Sequence, residues 1–139
     1  MNLCLGQCIE SVATNPFNMN WKEKVRDEEV EKALGRPDTM KILNDLDNVR
    51  YIYSEKMTCH FLMKDTAFVL YAIEMTGGDI NGIKMGMSKR KVLNHLGKPN
   101  EEIATKDRIT MEWNHGIHMV VAKFENRKLQ EFIIAKVIH

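Results

Sequence analysis

This chain has few cysteines, few prolines and no dominance of one charge. Cys4, Cys8 and Cys59 are its only cysteines. Three thiols cannot all pair, and without a double CxxC spacing they do not make a structural zinc site. They are expected to stay reduced. No apolar run reaches the length of a membrane span, so no membrane partner is expected. The opening "MNLCLGQCIESVA" has no basic leader, and Gly6, Gln7 and Glu10 interrupt its apolar residues. That is a poor secretory signal. "LGQC" is a poor lipoprotein cleavage site as well, because Gln7 stands where a small residue belongs. A cytoplasmic location is the expectation.

The net charge of +1 excludes a broad nucleic-acid footprint. Up to Gly78 nine basic residues stand against twelve acidic ones, a net of −3; beyond it eleven stand against seven, a net of +4. The one basic cluster, Lys89-Arg90-Lys91, has no interleaved aromatic residue on which a base could stack, and reads as a solvated helix face.

Catalytic signatures are missing too. There is no glycine-rich phosphate loop, no acid–base carboxylate pair and no GxSxG element. Gly77-Gly78 reads as a linker turn. His60, His95, His115, His118 and His139 titrate near neutrality. Cys59 adjoins His60, but strand neighbours point to opposite faces, and His115 and His118 straddle a hairpin tip without a metal-site spacing. Cys4 and Cys8 fit the apolar face of an N-terminal helix with Leu5, Ile9 and Val12. No catalytic residue, metal ligand or cofactor is assigned, and the chain is expected not to be an enzyme.

What is present is an ordinary globular composition, 44% hydrophobic and 28% charged over 139 residues. A chain of that length forms one domain and buries roughly two-thirds of its unfolded surface. "VEKALGRPD" (30–38) and "VLNHLGKPN" (92–100) write the same helix ending twice. In the second, Ser88 is the N-cap, Val92, Leu93 and Leu96 form the apolar face, Gly97 closes the helix and Pro99 prevents its resumption. In the first, Asp27 takes the cap, Val30, Ala33 and Leu34 the face, and Gly35 and Pro37 the stop. Alternating strands follow each: "VRYIY", "MTCHFLM" and "AFVLYAIEM", then "ITMEW", "IHMVVAKF" and "LQEFIIAKV". The expected architecture is α+β: two tandem helix-plus-antiparallel-sheet repeats whose sheets form one curved surface. Residues 1–20 make an N-terminal helix and connection, anchored by Phe17 and Trp21. Residues 21–76 are the first repeat, residues 77–139 the second, and all form one compact domain.

Taking Asn114-His115-Gly116 as a three-residue hairpin loop places Trp113 opposite Ile117, Met111 opposite Met119 and Ile109 opposite Val121. The other face then carries Thr110, Glu112, His118 and Val120. By repeat equivalence Arg50, Ile52, His60 and Leu62 join them, and Gln130, Phe132 and Ile134 come from the last strand. That open face is mixed rather than uniformly polar, unusual for a surface that meets only water. Arg50, Ile52, His60, Leu62, Thr110, Glu112, His118, Val120, Gln130 and Phe132 are the candidate partner-binding residues.

The string Gly86-Met87-Ser88, Val92, Leu96-Gly97-Lys98-Pro99, Trp113 and Phe124 resembles the repeat shared by the β-lactamase inhibitory protein and the small outer-membrane assembly lipoproteins of the SmpA/OmlA type. The first copy keeps Val30, Leu34-Gly35-Arg36-Pro37 and Tyr53, with Lys24 and Val25 in place of Gly-Met. The resemblance implies a non-catalytic protein that binds another protein through its sheet. Its narrowest form is an immunity protein that neutralises a cognate bacterial toxin. The alternatives are an envelope-assembly scaffold and a small enzyme using the histidines and cysteines.

Overall fold

The computed structural model describes residues 8–43, 47–54 and 56–138. A short helix, α1 (Cys8–Thr14), and a 3-10 turn at Pro16–Asn18 precede two eight-residue helices, α2 (Asp27–Leu34) and α3 (Lys89–Leu96). Of the apolar residues expected on the N-terminal helix, Val12 is buried and Ile9 half-buried, while Cys4 and Leu5 lie outside the described residues. Ser88 caps α3, its Oγ accepting from the Lys91 N–H at 3.3 Å, and Val92 and Leu96 are buried. At α2 the cap is Arg26 rather than Asp27, and the Glu29 carboxylate accepts from the Arg26 N–H at 3.4 Å. Asp27 instead accepts from the Tyr51 hydroxyl at 3.4 Å. Val30 is buried and Leu34 half-buried, but Ala33 is exposed.

The repeated "GRPD" and "GKPN" do the same work in both halves. Gly35 (φ 85°, ψ −175°) and Gly97 (φ 82°, ψ −167°) share a conformation open essentially to glycine alone. The Gly35 carbonyl accepts from the Tyr53 hydroxyl at 3.0 Å, and the Gly97 carbonyl accepts from Trp113 Nε1 at 3.0 Å. Asp38 donates its N–H to the Ile52 carbonyl (2.9 Å) and Asn100 donates to that of Glu112 (2.8 Å). The Asp38 carboxylate then accepts from the Ser54 N–H, as the Asn100 side chain accepts from the Asn114 N–H. Each four-residue string therefore ends a helix, holds the aromatic residue of a strand, and starts the next strand beside it.

Those strands are β1 (Thr39–Leu43), β2 (Asn48–Tyr53), β3 (Met57–Lys64) and β4 (Ala67–Met75). A small hairpin, β5 (Asp79–Ile80) and β6 (Ile83–Lys84), comes before α3. After it run β7 (Glu101–Ala104), β8 (Arg108–His115), β9 (His118–Glu125) and β10 (Lys128–Lys136). The main sheet has the order β1-β2-β3-β4-β10-β9-β8-β7, antiparallel throughout. Two four-stranded meanders thus meet at their last strands, with Phe132 opposite Met75 and Ile134 opposite Ile73. The edge strands β1 and β7 lie outside the three strands per half read from the sequence.

One face of this sheet, with Tyr51, Phe61, Leu70, Ile73, Met111, Trp113, Phe124 and Phe132, forms a single apolar cluster with Val12, Trp21, Val30, Val92 and Leu96. Each such side chain contributes roughly 1.5–3 kcal/mol by burial. Trp21 is wholly buried and donates to the Leu70 carbonyl at 3.3 Å. Asn81 and Gly82 turn the β5–β6 hairpin with φ of 47° and 92°. The Asn81 side chain binds the end of α1, donating to the Asn15 carbonyl and accepting from the Phe17 N–H.

The β8–β9 hairpin corrects the expected register. Its loop is Gly116-Ile117, closed by His115 opposite His118, with glycine left-handed (φ 63°) at the first position. Trp113 lies opposite Val120, Met111 opposite Ala122 and Ile109 opposite Phe124. A three-residue loop does join β2 to β3, where Tyr53 faces Met57.

Candidate protein-binding face

With the helices packed on one side, the other face of the sheet has no covering element among the described residues. Direct pairing aligns one row across all eight strands: Thr39, Ile52, Thr58, Glu74, Ile133, Val121, Glu112 and Glu101. The next row runs Lys41, Arg50, His60, Ala72, Ala135, Met119 and Asn114. At the centre of the face both rows are apolar on β10 and β9, while on β4 the first row carries Glu74 beside the seam. Ile133, Val121 and Ala135 are half-buried, and Met119 is 37% exposed. Ile117 and Val137 extend the strip at one end, joined by the Val137 N–H donating to the Ile117 carbonyl at 3.0 Å.

His60 is the main polar feature near this centre. Its Nε2 shares a 2.5 Å hydrogen bond with the Glu74 carboxylate, and its ring leans on Tyr71 at 5.8 Å. Burial lowers the His60 pKa and the nearby Arg50 charge adds to that, while Glu74 acts in the opposite direction. A bulge between His60 and Phe61 leaves Tyr71 as the extra residue of β4.

Of the ten residues expected on this face, Arg50, Ile52, His60, Leu62, Thr110 and Glu112 lie there. Gln130 is exposed as the extra residue of a bulge in β10, beside Thr110 and Lys123. His118, Val120 and Phe132 do not lie there: they point into the core, at 5%, 0% and 0% exposure, as does Ile134. The observed pairing shifts β9 by three positions relative to the expected hairpin, with Trp113 opposite Val120 instead of Ile117, and an odd shift exchanges the faces of every side chain. In β10, Glu131, Ile133 and Ala135 take the outward positions instead. Lys123 and Glu125 were the available signal, since their outward alternation forces Phe124, Ala122, Val120 and His118 inward. Glu74, Val121, Ile133, Ala135, Met119, Lys41 and Glu101 also lie on the face and were missed.

The groups considered for chemistry are separated. Cys59 is wholly buried on the face opposite His60, and burial pushes its thiol up to about 12, so it supplies no thiolate. His118 Nε2 donates to the Trp21 carbonyl at 3.1 Å inside the protein, and Lys136 Nζ donates to the same oxygen at 2.7 Å. No group of three or more His, Cys, Asp or Glu able to hold a metal forms among the described residues. No helix there is long and apolar enough to cross a membrane.

This architecture is α+β, a helical layer on one face of a single antiparallel sheet. No family model matches the chain, and no curated protein matches it. The fold recurs in solved structures. A DUF4309 family protein from Bacillus subtilis superposes with a TM-score of 0.58 at 14% identity, over 96% of each chain. An extracellular protein from Bacillus anthracis containing an SCP domain gives 0.56 at 7% identity, over 81% of this chain and 43% of that one. A Streptococcus mutans protein with a provisional description as a β-lactamase inhibitor gives only 0.34 at 16% identity, over 79% of this chain and 82% of that one.

Proposed function

We propose that this chain is a non-catalytic protein-binding module that occludes another protein with its open sheet face. One observation carries the reading: the uncovered face has an apolar strip along β10 and β9, where an antiparallel sheet facing water alternates to polar residues. Ile133, Val121, Ala135 and Met119 form that strip, flanked by Arg50 and Glu112. The finer reading is an immunity protein that neutralises a bacterial toxin in the cytoplasm. It is supported by the resemblance of the Gly86–Pro99 string and Trp113 to the inhibitory repeat. The test is affinity capture from the native host with the wild-type chain and with Ile52→Asp and Met119→Asp, followed by calorimetry with the purified partner. Each variant is expected to weaken binding at least roughly thirtyfold without loss of folding. Equal binding by both variants would remove the open face from the reading. If the captured protein is a toxin, co-expression of this chain should relieve its growth arrest.

A second reading, an accessory module working outside the cytoplasm, is favoured by the superposition on less than half of an extracellular protein. Fractionation of the native host separates the two.

A further inference from the structure

At each end of the open face, two like charges stand directly opposite one another. Lys41 faces Arg50 across β1 and β2, and Glu101 faces Glu112 across β7 and β8. Directly opposed like charges weaken an antiparallel pair. None of the four has an ion-pair partner among the described residues. The two pairs are opposite in sign, equal in charge, and placed symmetrically about the β4–β10 seam. Between them, on the β10–β9 side of the seam, lies the apolar strip.

Such a face is complementary to itself. Rotating a second copy about an axis that runs along the strands at the seam lays β7 over β1 and β8 over β2, so each basic pair meets an acidic pair, twice. Rotation about the perpendicular axis in the same plane lays β1 over β1 and sets like against like. Only the first arrangement is attractive. In it the basic and acidic pairs differ by one row, about 7 Å along the strands, a distance within reach of the long Lys and Arg side chains. Glu74, nearest the axis, faces the second copy's Ile133 and keeps its hydrogen bond to His60. Eight strands give a face of roughly 35 by 20 Å, or about 700 Å², close to the roughly 800 Å² per partner of a standard interface.

We propose that two copies of this chain dimerise face to face through the open sheet, with Lys41 and Arg50 of each over Glu101 and Glu112 of the other. The second copy covers the same strip as the partner proposed above, so the dimer is the resting form and a partner displaces it. The dimer itself does not depend on that partner.

Sedimentation velocity on the full chain, at concentrations up to roughly 0.1 mM and low salt, should show a dimer that weakens as salt rises. The double variants K41E/R50E and E101K/E112K should each dissociate at least about tenfold more readily. Mixed in equal amounts they should form a heterodimer, because one carries acid at both ends and the other base. Near-UV circular dichroism checks their folding, and K41Q/R50Q replaces the first variant if reversal disturbs it. A wild-type monomer throughout the range, double variants that stay dimeric, or a mixture that stays monomeric would each overturn the proposal. A wild-type monomer would leave the partner-binding reading standing, since that is measured with the partner itself.

Discussion

Glycine 35 shows how much one backbone conformation carries. Its φ of 85° with ψ near 180° lies where L side chains are strained, yet a methyl group added there would meet nothing within 4 Å. Crowding and backbone strain are therefore separable at this position. Gly35→Ala is expected to destabilise the protein by about 1–3 kcal/mol, measured as a lower urea midpoint at unchanged slope. A loss below about 0.5 kcal/mol, the scale of an ordinary surface substitution, would mean that the turn relaxes and that the Tyr53 hydroxyl does not need the carbonyl it fixes. The sequence made this residue legible, because a helix that ends on Gly-x-Pro has few other ways to turn.

At the level of elements, legibility followed the strength of local rules. The helix stops and the inward faces of β2 and β8 were readable from capping chemistry and alternation. Hairpin registers were less so, because one residue of loop length decides them and both loop lengths occur here: three residues between β2 and β3, two between β8 and β9. Taking the β8–β9 loop as three residues misplaced His118 and Val120, whereas Arg50, Ile52, His60 and Leu62, transferred to the first half by analogy, came out on the open face because the β2–β3 loop does have three residues. Bulges in β4 and β10 shift alternation again, and nothing local in "AFVLYAIEM" or "LQEFIIAKV" marks where. Neighbouring positions of β10 test the assignment directly. Phe132→Asp buries a charge in the core and should leave the chain largely unfolded. Ile133→Asp, one residue on and facing outward, should cost about 1 kcal/mol or less. Thermal melts of the two variants, taken at concentrations low enough for the chain to be monomeric, decide it, and similar losses would mean that an element of the chain itself covers the open face.

For the whole molecule, closure depends on a contact between the two ends of the chain. The Trp21 carbonyl accepts from His118 and from Lys136, and Lys136 also reaches the Glu23 carbonyl at 2.9 Å. These bonds hold the connection before α2 against the ends of β9 and β10. The Val25 carbonyl then accepts from the Leu70 N–H at 2.8 Å, beside β4. The joint contains two basic groups. Burial, reinforced by the charge on Lys136, lowers the His118 pKa below its ordinary 6.5, although the bond to Trp21 opposes this. The unfolded chain therefore binds more protons than the folded one just below pH 6.5, so this stability is complete above 6.5 and is lost as the pH falls. His60 shifts in the same direction, burial outweighing Glu74. The melting temperature should accordingly fall on acidification from about pH 7.5 to about pH 5. His118→Gln preserves a donor for the Trp21 carbonyl while removing the titrating ring, so its melting temperature should depend less on pH, and His60→Gln should flatten the remainder. A wild-type melting temperature that is constant or rises on acidification would show that the histidine at this joint is solvated, and that the two ends of the chain are held together by apolar packing around Trp21 alone.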